Sequence, residues 1–165
     1  MNTKLVFRQY TDADAISCWQ LFNQTVRRIN ARDYTPAQIA AWAHADIDPE
    51  PWFRRFDGKI AYVVEGDENA RILGFADLTC DGYLDRLFVS ADHQRQGIAT
   101  LLMDAIERAA KENALPRIHT QASITAKPFF LSRGFTVVTE QTVDCRGVKM
   151  TNFVMELTLA ARDKI

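Results

Sequence analysis

Cysteine is scarce in this 165-residue chain: there are three, Cys18, Cys80 and Cys145, far apart and never as Cys-x-x-Cys. That excludes a disulfide framework and a zinc-ribbon pattern, and it fits a reducing, cytoplasmic compartment. Histidine is equally sparse. His44, His93 and His119 have no ligand spacing, so no metal is expected. Glycine and proline, seven and five in all, leave no linker, repeat or low-complexity tract. No apolar run approaches the ~20 residues of a membrane span. The start, "MNTKLVFRQY", has no apolar core of secretory length. Neither sign of charge dominates: the formal net charge is −1 and the sequence pI is about 6.3. A nucleic-acid or anionic-membrane partner is therefore not expected.

What is present is apolar residue in ordered patterns. Hydrophobic residues make up 47% of the chain, enough for one domain over residues 1–165 to bury a core. "LVFRQ" reads as a strand. Ala15, Cys18, Trp19, Phe22, Val26 and Ile29 then make a helical stripe, with Asp12 as its cap. Thr35, Pro36 and Gln38 form a capping box with proline at the first helical position. Pro49 and Pro51 are expected to end that second helix. "KIAYVVEG", "RILGFADLT" and "YLDRLFV" read as an antiparallel meander, with a turn at Asp81–Gly82. Ile98, Leu101, Leu102, Ala105, Ile106 and Ala109 mark the inner face of a long helix. The strand "RIHTQAS" follows and implies a right-handed crossover with parallel strands. A short helix ending at Gly134 and a hairpin around "CRG" complete the order β-α-α-β-β-β-α-β-α-β-β. The expectation is a mixed α/β sheet of about seven strands flanked by four helices.

The junction of strand and long helix, "QRQGIAT", carries the chemistry. A helix opens with amides that have no intrahelical acceptor, and its dipole favours an anion there. Gly97 permits close approach to the backbone and Ala99 adds almost no side chain. Amides from Gln96 to Thr100 can therefore converge on a phosphate. Gly-x-x-x-x-Gly-Lys-Ser/Thr and Gly-x-Gly-x-x-Gly are both absent from the chain. An ordinary turn glycine explains the same local pattern.

The stretch "VSADHQRQGIATLLMDAIERA" resembles motif A of the GNAT N-acetyltransferase superfamily, Gln/Arg-x-x-Gly-x-Gly/Ala. Here it is Gln94-Arg95-Gln96-Gly97-Ile98-Ala99. The order of elements from residue 5 to 159 and "AKPFFLSRGF" are similar to that family too. The resemblance implies a GNAT fold whose central strands splay apart, with acetyl-CoA as co-substrate. The pyrophosphate would rest on amides of residues 95–100, Thr100 included. The pantetheine arm would pair with Leu87, Phe88 and Val89. It also implies direct attack of an amine on the thioester. Many members place a tyrosine as acid toward the sulfur. The matching residue here is Phe130, or Phe129 with a one-residue slip, and the asparagine that often precedes it is Ser123. The usual acid is therefore missing, although a thiol of pKa near 8.5 can leave unassisted.

By strand alternation Tyr83, Asp85, Leu87 and Val89 share a face. Tyr83 occupies the family's frequent base position, and Asp85 is one pleat nearer the thioester. Asp77 is a further candidate beside the acceptor. A carboxylate buried in a cleft would have a raised pKa and accept a proton, whereas pairing of Asp85 with Arg86, Arg8 or another cation would not allow it. Tyr34 and Trp42, with Trp52 beyond them, are the candidate acceptor walls. His119 is near enough in sequence to reach the site or to face solvent. The function implied is transfer of acetyl to a primary amine of a small molecule or peptide. A non-catalytic acyl-CoA sensor and a plain α/β domain without a nucleotide site are the alternatives. A homodimer is compatible with the resemblance.

Overall fold

The computed structural model describes residues 4–160; residues 1–3 and 161–165, part of the expected domain span, lie outside it. One sheet holds β1 (Leu5–Gln9), β2 (Ile60–Gly66), β3 (Ile72–Leu78), β4 (Tyr83–Val89), β5 (Arg117–Ser123), β6 (Thr136–Cys145) and β7 (Val148–Thr158). Its order is β1-β2-β3-β4-β5-β7-β6. Every neighbouring pair is antiparallel except β4 and β5, which are parallel. The expected meander, crossover and terminal hairpin are all present.

The helices are α1 (Ala15–Arg28), α2 (Pro36–Trp42), α3 (Pro49–Arg54), α4 (Ile98–Glu112) and α5 (Lys127–Ser132). That is one more than expected. The chain does leave the helical path after Trp42, but Pro49 then starts α3 instead of only blocking α2. Asp48 precedes it in extended conformation and Pro49 takes the first turn, where its missing N–H costs nothing. Trp52 anchors α3 by donating its indole N–H to the Ala15 carbonyl at 2.8 Å. The cap before α1 is also corrected. Thr11, not Asp12, is extended and forms a capping box with Asp14, ahead of a single 3-10 turn. The Thr35 capping box on α2 stands as expected, with the Gln38 N–H donating to the hydroxyl at 3.2 Å.

Two apolar layers enclose the sheet. On one face α4 and α5 pack through Ile98, Leu102, Met103, Ile106 and Phe130 onto Leu84, Ile118 and Met155. Leu101, expected on that inner face, is exposed, and Met103 and Ala110 are buried instead. The apolar arc is rotated because α4 lies against strands on both sides of its axis. On the other face α1, α2 and α3 cover the sheet through Cys18, Phe22, Val26, Ile39, Trp52 and Phe56.

The sheet is split at its centre. β4 follows β3 along its length and β5 follows β7 through Ser123, but β4 meets β5 only at Tyr83–His119 and Leu84–Thr120. Thr120 ties this apex by donating its hydroxyl to the Leu84 carbonyl at 2.8 Å. Beyond it the strands diverge into a V. β4 is also bulged: Asp77 opposes Arg86 and Leu78 opposes Leu84, so Asp85 has no partner on β3. A bulge inserts one residue and reverses the alternation. Leu84, Leu87 and Val89 accordingly face α4, while Phe88 faces α1. The expected common face of Tyr83, Asp85, Leu87 and Val89 is therefore broken at Asp85.

Candidate active site

The V opens into a cleft of about 1500 Å³. Leu87, Phe88 and Val89 line it from β4, and Ala122, Ser123 and Phe130 line it from β5 and α5. Strand divergence leaves the facing polar groups of these two strands without a neighbouring strand, which is an invitation to an extended ligand.

At its wide end lies the loop before α4. Arg95 has φ +60° and Gly97 has φ +84°, so the backbone turns left-handed twice within three residues. A side chain added at Gly97 would meet nothing within 4 Å; the glycine serves the backbone angle and an open approach. The first intrahelical bond of α4 runs from the Leu101 N–H to the Gly97 carbonyl at 3.0 Å. The amides of Ile98, Ala99 and Thr100 precede it and have no helical acceptor. Their side chains differ: Ile98 is buried in the core, Ala99 is half-buried and Thr100 is exposed, as are Arg95 and Gln96. Gln94 shapes the loop from within, its amide donating to the carbonyls of Val89 and Ser90, both at 3.0 Å. The Val89 carbonyl also accepts from the Thr25 hydroxyl at 2.8 Å. Of the three expected pairing residues, Val89 thus has its carbonyl already occupied.

On the opposite arm, Ser123 accepts the Ala126 N–H at 3.0 Å, starting the turn into α5. Phe130 is packed edge-on against Phe129 and Phe135 and is 4% exposed. No hydroxyl is present at that position.

The carboxylates depart from expectation. Asp85 lies on the cleft wall, but it receives the Lys59 ammonium at 2.7 Å and Arg55 at 3.3 Å. Burial pushes its pKa up, yet the Lys59 hydrogen bond and the charges of Arg55, Lys59 and Arg86 outweigh this and hold it below the usual carboxylate range. The expected raised, proton-accepting carboxyl is absent. Asp77 is fully buried rather than beside the acceptor. It accepts the Arg86 backbone N–H and Nε, each at 3.0 Å, and also Nη2. The opposing charge on the next strand draws it into the sheet. Tyr83 is half-buried at the apex, its ring 5.2 Å from that of His119. Burial and the Asp85 charge raise its pKa, so its hydroxyl stays protonated at neutral pH.

Tyr34, expected as a free loop aromatic, is a buried cross-link. Its hydroxyl donates to the Thr151 carbonyl at 2.8 Å and accepts the Ile124 N–H at 2.9 Å. A loop position says nothing about what folds over it. Trp42 stands half-buried against Tyr34, with ring centroids 5.6 Å apart, and lines the cleft with Trp19 and Trp52.

A family model described as an acetyltransferase (GNAT) domain matches residues 30–157. A curated Escherichia coli K12 protein called uncharacterized N-acetyltransferase YafP is 34% identical over 148 residues, 90% of this chain and 92% of that protein. The chain belongs to the GNAT acetyltransferase family. Solved GNAT folds superpose on it. A GCN5-related N-acetyltransferase from Rhodopseudomonas palustris is 28% identical with a TM-score of 0.88, covering 96% of this chain and 99% of that one. The PaiA N-acetyltransferase from Thermoplasma acidophilum, solved with coenzyme A, shares the fold at 16% identity and a TM-score of 0.75, covering 94% and 99%.

Within this GNAT chain, several residues in or behind the cleft wall escaped the sequence reading. Arg55 and Lys59 join Arg86 in the ion-pair network around Asp77 and Asp85. Thr25 holds the β4 end, and Asn30 reaches Ser123 at 3.5 Å. One signal was available: Asp85 and Arg86 sit adjacent in an otherwise apolar strand, where buried charges require partners. Thr25 and Asn30 had none, because their partners are 64 and 93 residues away.

Proposed function

We propose that this GNAT chain transfers the acetyl group of acetyl-CoA to a primary amine. The carrying observation is the junction of β4 and α4, where two left-handed residues and an open glycine bare the first-turn amides at the mouth of the V. The pyrophosphate is assigned to the amides of residues 95–100, with Gln94 as the internal brace. The pantetheine arm follows Leu87 and Phe88, with Val89 contributing through its N–H side and packing, and Ser123 and Phe130 form the other wall. Trp42 belongs to the acceptor half, and Tyr34 holds that half together. Three free thiols and no charge excess suit a cytoplasmic setting.

The amine attacks as the free base, and its proton goes to water in the open cleft. The thioester C–S bond breaks as the amide C–N bond forms. The CoA thiolate leaves unassisted and is protonated by solvent, which its pKa near 8.5 allows. Asp85 is ionised and paired, so it acts through the charges it orients. Tyr83 closes the apex as a neutral hydroxyl.

Thermal denaturation with and without acetyl-CoA is the first test. A saturating donor at about 100 times its dissociation constant should stabilise the fold by about 2.7 kcal/mol. Release of free CoA with an amine panel is the second. A shift without release would return the chain to an acyl-CoA sensor; no shift would remove both readings.

A further inference from the structure

Arg86 is a group the acetyl-transfer reading leaves unused. It lines the cleft, is 3% exposed, and lies with its guanidinium carbon 4.1 Å from the Phe56 ring centroid and 4.7 Å from that of Trp52. Nε and Nη2 donate to Asp77, but Nη1 is buried without a hydrogen-bond partner. A desolvated donor of this kind is uncommon, because nothing repays the lost water.

Charge is a second, independent observation. Arg86 pairs with Asp77, Lys59 lies 3.6 Å from Asp77 and 2.7 Å from Asp85, and Arg55 lies 3.3 Å from Asp85. Three cations thus meet two carboxylates. Arg55 apart, with 43% of its side chain exposed, these side chains are at most 19% exposed. Lys59 and Arg86 balance Asp77 and Asp85, so the surplus charge falls on Arg55, the exposed member of the network, which lines the cleft and is open to an anion. The other carboxylates lining the cleft are Asp46 and Asp48, on the exposed loop before α3, and Asp144, near the β6–β7 turn. Among the described residues none of these three forms an ion pair with the network.

We propose that the acceptor is an amine that also carries a carboxylate, which sits against Arg55 where it lines the cleft, with the buried charge of Arg86 behind it. This rests on the acetyl-transfer reading. Arg86 is two residues along β4 from the apex at Leu84, roughly 7 Å of strand. The spacer between amine and carboxylate is therefore short. Trp42 and Trp19 offer an aromatic wall to the body of the molecule, so an aromatic α-amino acid is the representative probe. Arg55 is the exposed contact, and Arg86 is the buried charge behind it, held by Asp77 and the rings.

The test compares kcat/KM for phenylalanine, its carboxamide, phenethylamine and a linear diamine, by release of free CoA. The acid should be preferred over its carboxamide by about tenfold or more, the scale of a charge-assisted contact. Arg55→Gln, at an exposed position, should collapse that ratio toward one. Equal or better use of the carboxamide or phenethylamine would overturn the proposal, and so would preference for the diamine, which would assign the pocket to Asp46 and Asp48. An acid preference that Arg55→Gln leaves intact would overturn it too, as would no turnover of any of the four. None of these outcomes bears on acetyl-CoA binding, which the thermal shift decides separately.

Discussion

At the scale of single residues, the site differs from its sequence pattern in how its charges are paired. Asp85 was legible as a polar residue on a central strand. That it is paired and unsuited to act as a base was not, because Lys59 and Arg55 come from a different part of the chain. With its folded pKa depressed, Asp85 stays ionised above the usual carboxylate range, and its ion pairs are lost only as pH falls through the depressed value. Across an assay from about pH 6 to 9 it should therefore contribute no inflection. We expect kcat/KM to rise about tenfold per pH unit until the acceptor's own pKa, in the parent and in Asp85→Asn alike. An inflection near neutrality that Asp85→Asn abolishes would restore the residue as base. That neither Phe129 nor Phe130 carries a hydroxyl was readable from the sequence, since it needs no tertiary context.

Elements carry the next level of the argument. Periodicity located α4, but not its rotation: Leu101 matched the stripe and faces out, because pattern alone does not say how wide the sheet beneath is. The helix is seated by Gly74 on β3. A Cβ there would come 2.7 Å from Ile98 Cγ2 and 3.1 Å from both Leu102 Cδ1 and the Phe88 carbonyl. Gly74→Ala should cost about 1–3 kcal/mol by overpacking, read by urea denaturation. It should also raise the KM for acetyl-CoA, because Ile98 begins the turn whose amides face the cleft. An unchanged KM would separate helix seating from the anion loop. The bulge at Asp85 was invisible for a related reason: one extra residue leaves no mark in composition, yet it exchanges the faces of everything before it.

At the scale of the whole molecule, a cleft between diverging strands has to be held at a fixed width. Residues from α1 to Tyr34 do this from above. Arg28 pairs with Asp92 at 2.6 Å and Thr25 holds Val89 on the β4 side. Asp33 accepts the Thr125 hydroxyl at 2.8 Å, and Tyr34 joins Ile124 to Thr151 on the β5 side. Tyr34→Phe removes the partner of one half-buried N–H and one half-buried carbonyl, so it should destabilise the fold by about 1–2 kcal/mol. In folded protein it should raise KM more than it lowers kcat, since it loosens the cleft without touching the reacting atoms. A loss confined to kcat would assign the hydroxyl to the chemistry instead.

Sequence alone determined what depends on neighbours in the chain. The strands, the capping box of α2, the glycine-bearing turn before α4 and the absence of a hydroxyl at Phe129 and Phe130 follow from spacing of a few residues and from side-chain chemistry. The tertiary structure decided what depends on closure across the chain. Only there do Lys59 and Arg55 neutralise Asp85, does Asp77 disappear beneath Arg86, and does Tyr34 become a brace. The physical reason is burial. Removal from water makes the partner of a charge or hydroxyl decisive, and that partner lies 26 to 117 residues away for Asp85 and Tyr34.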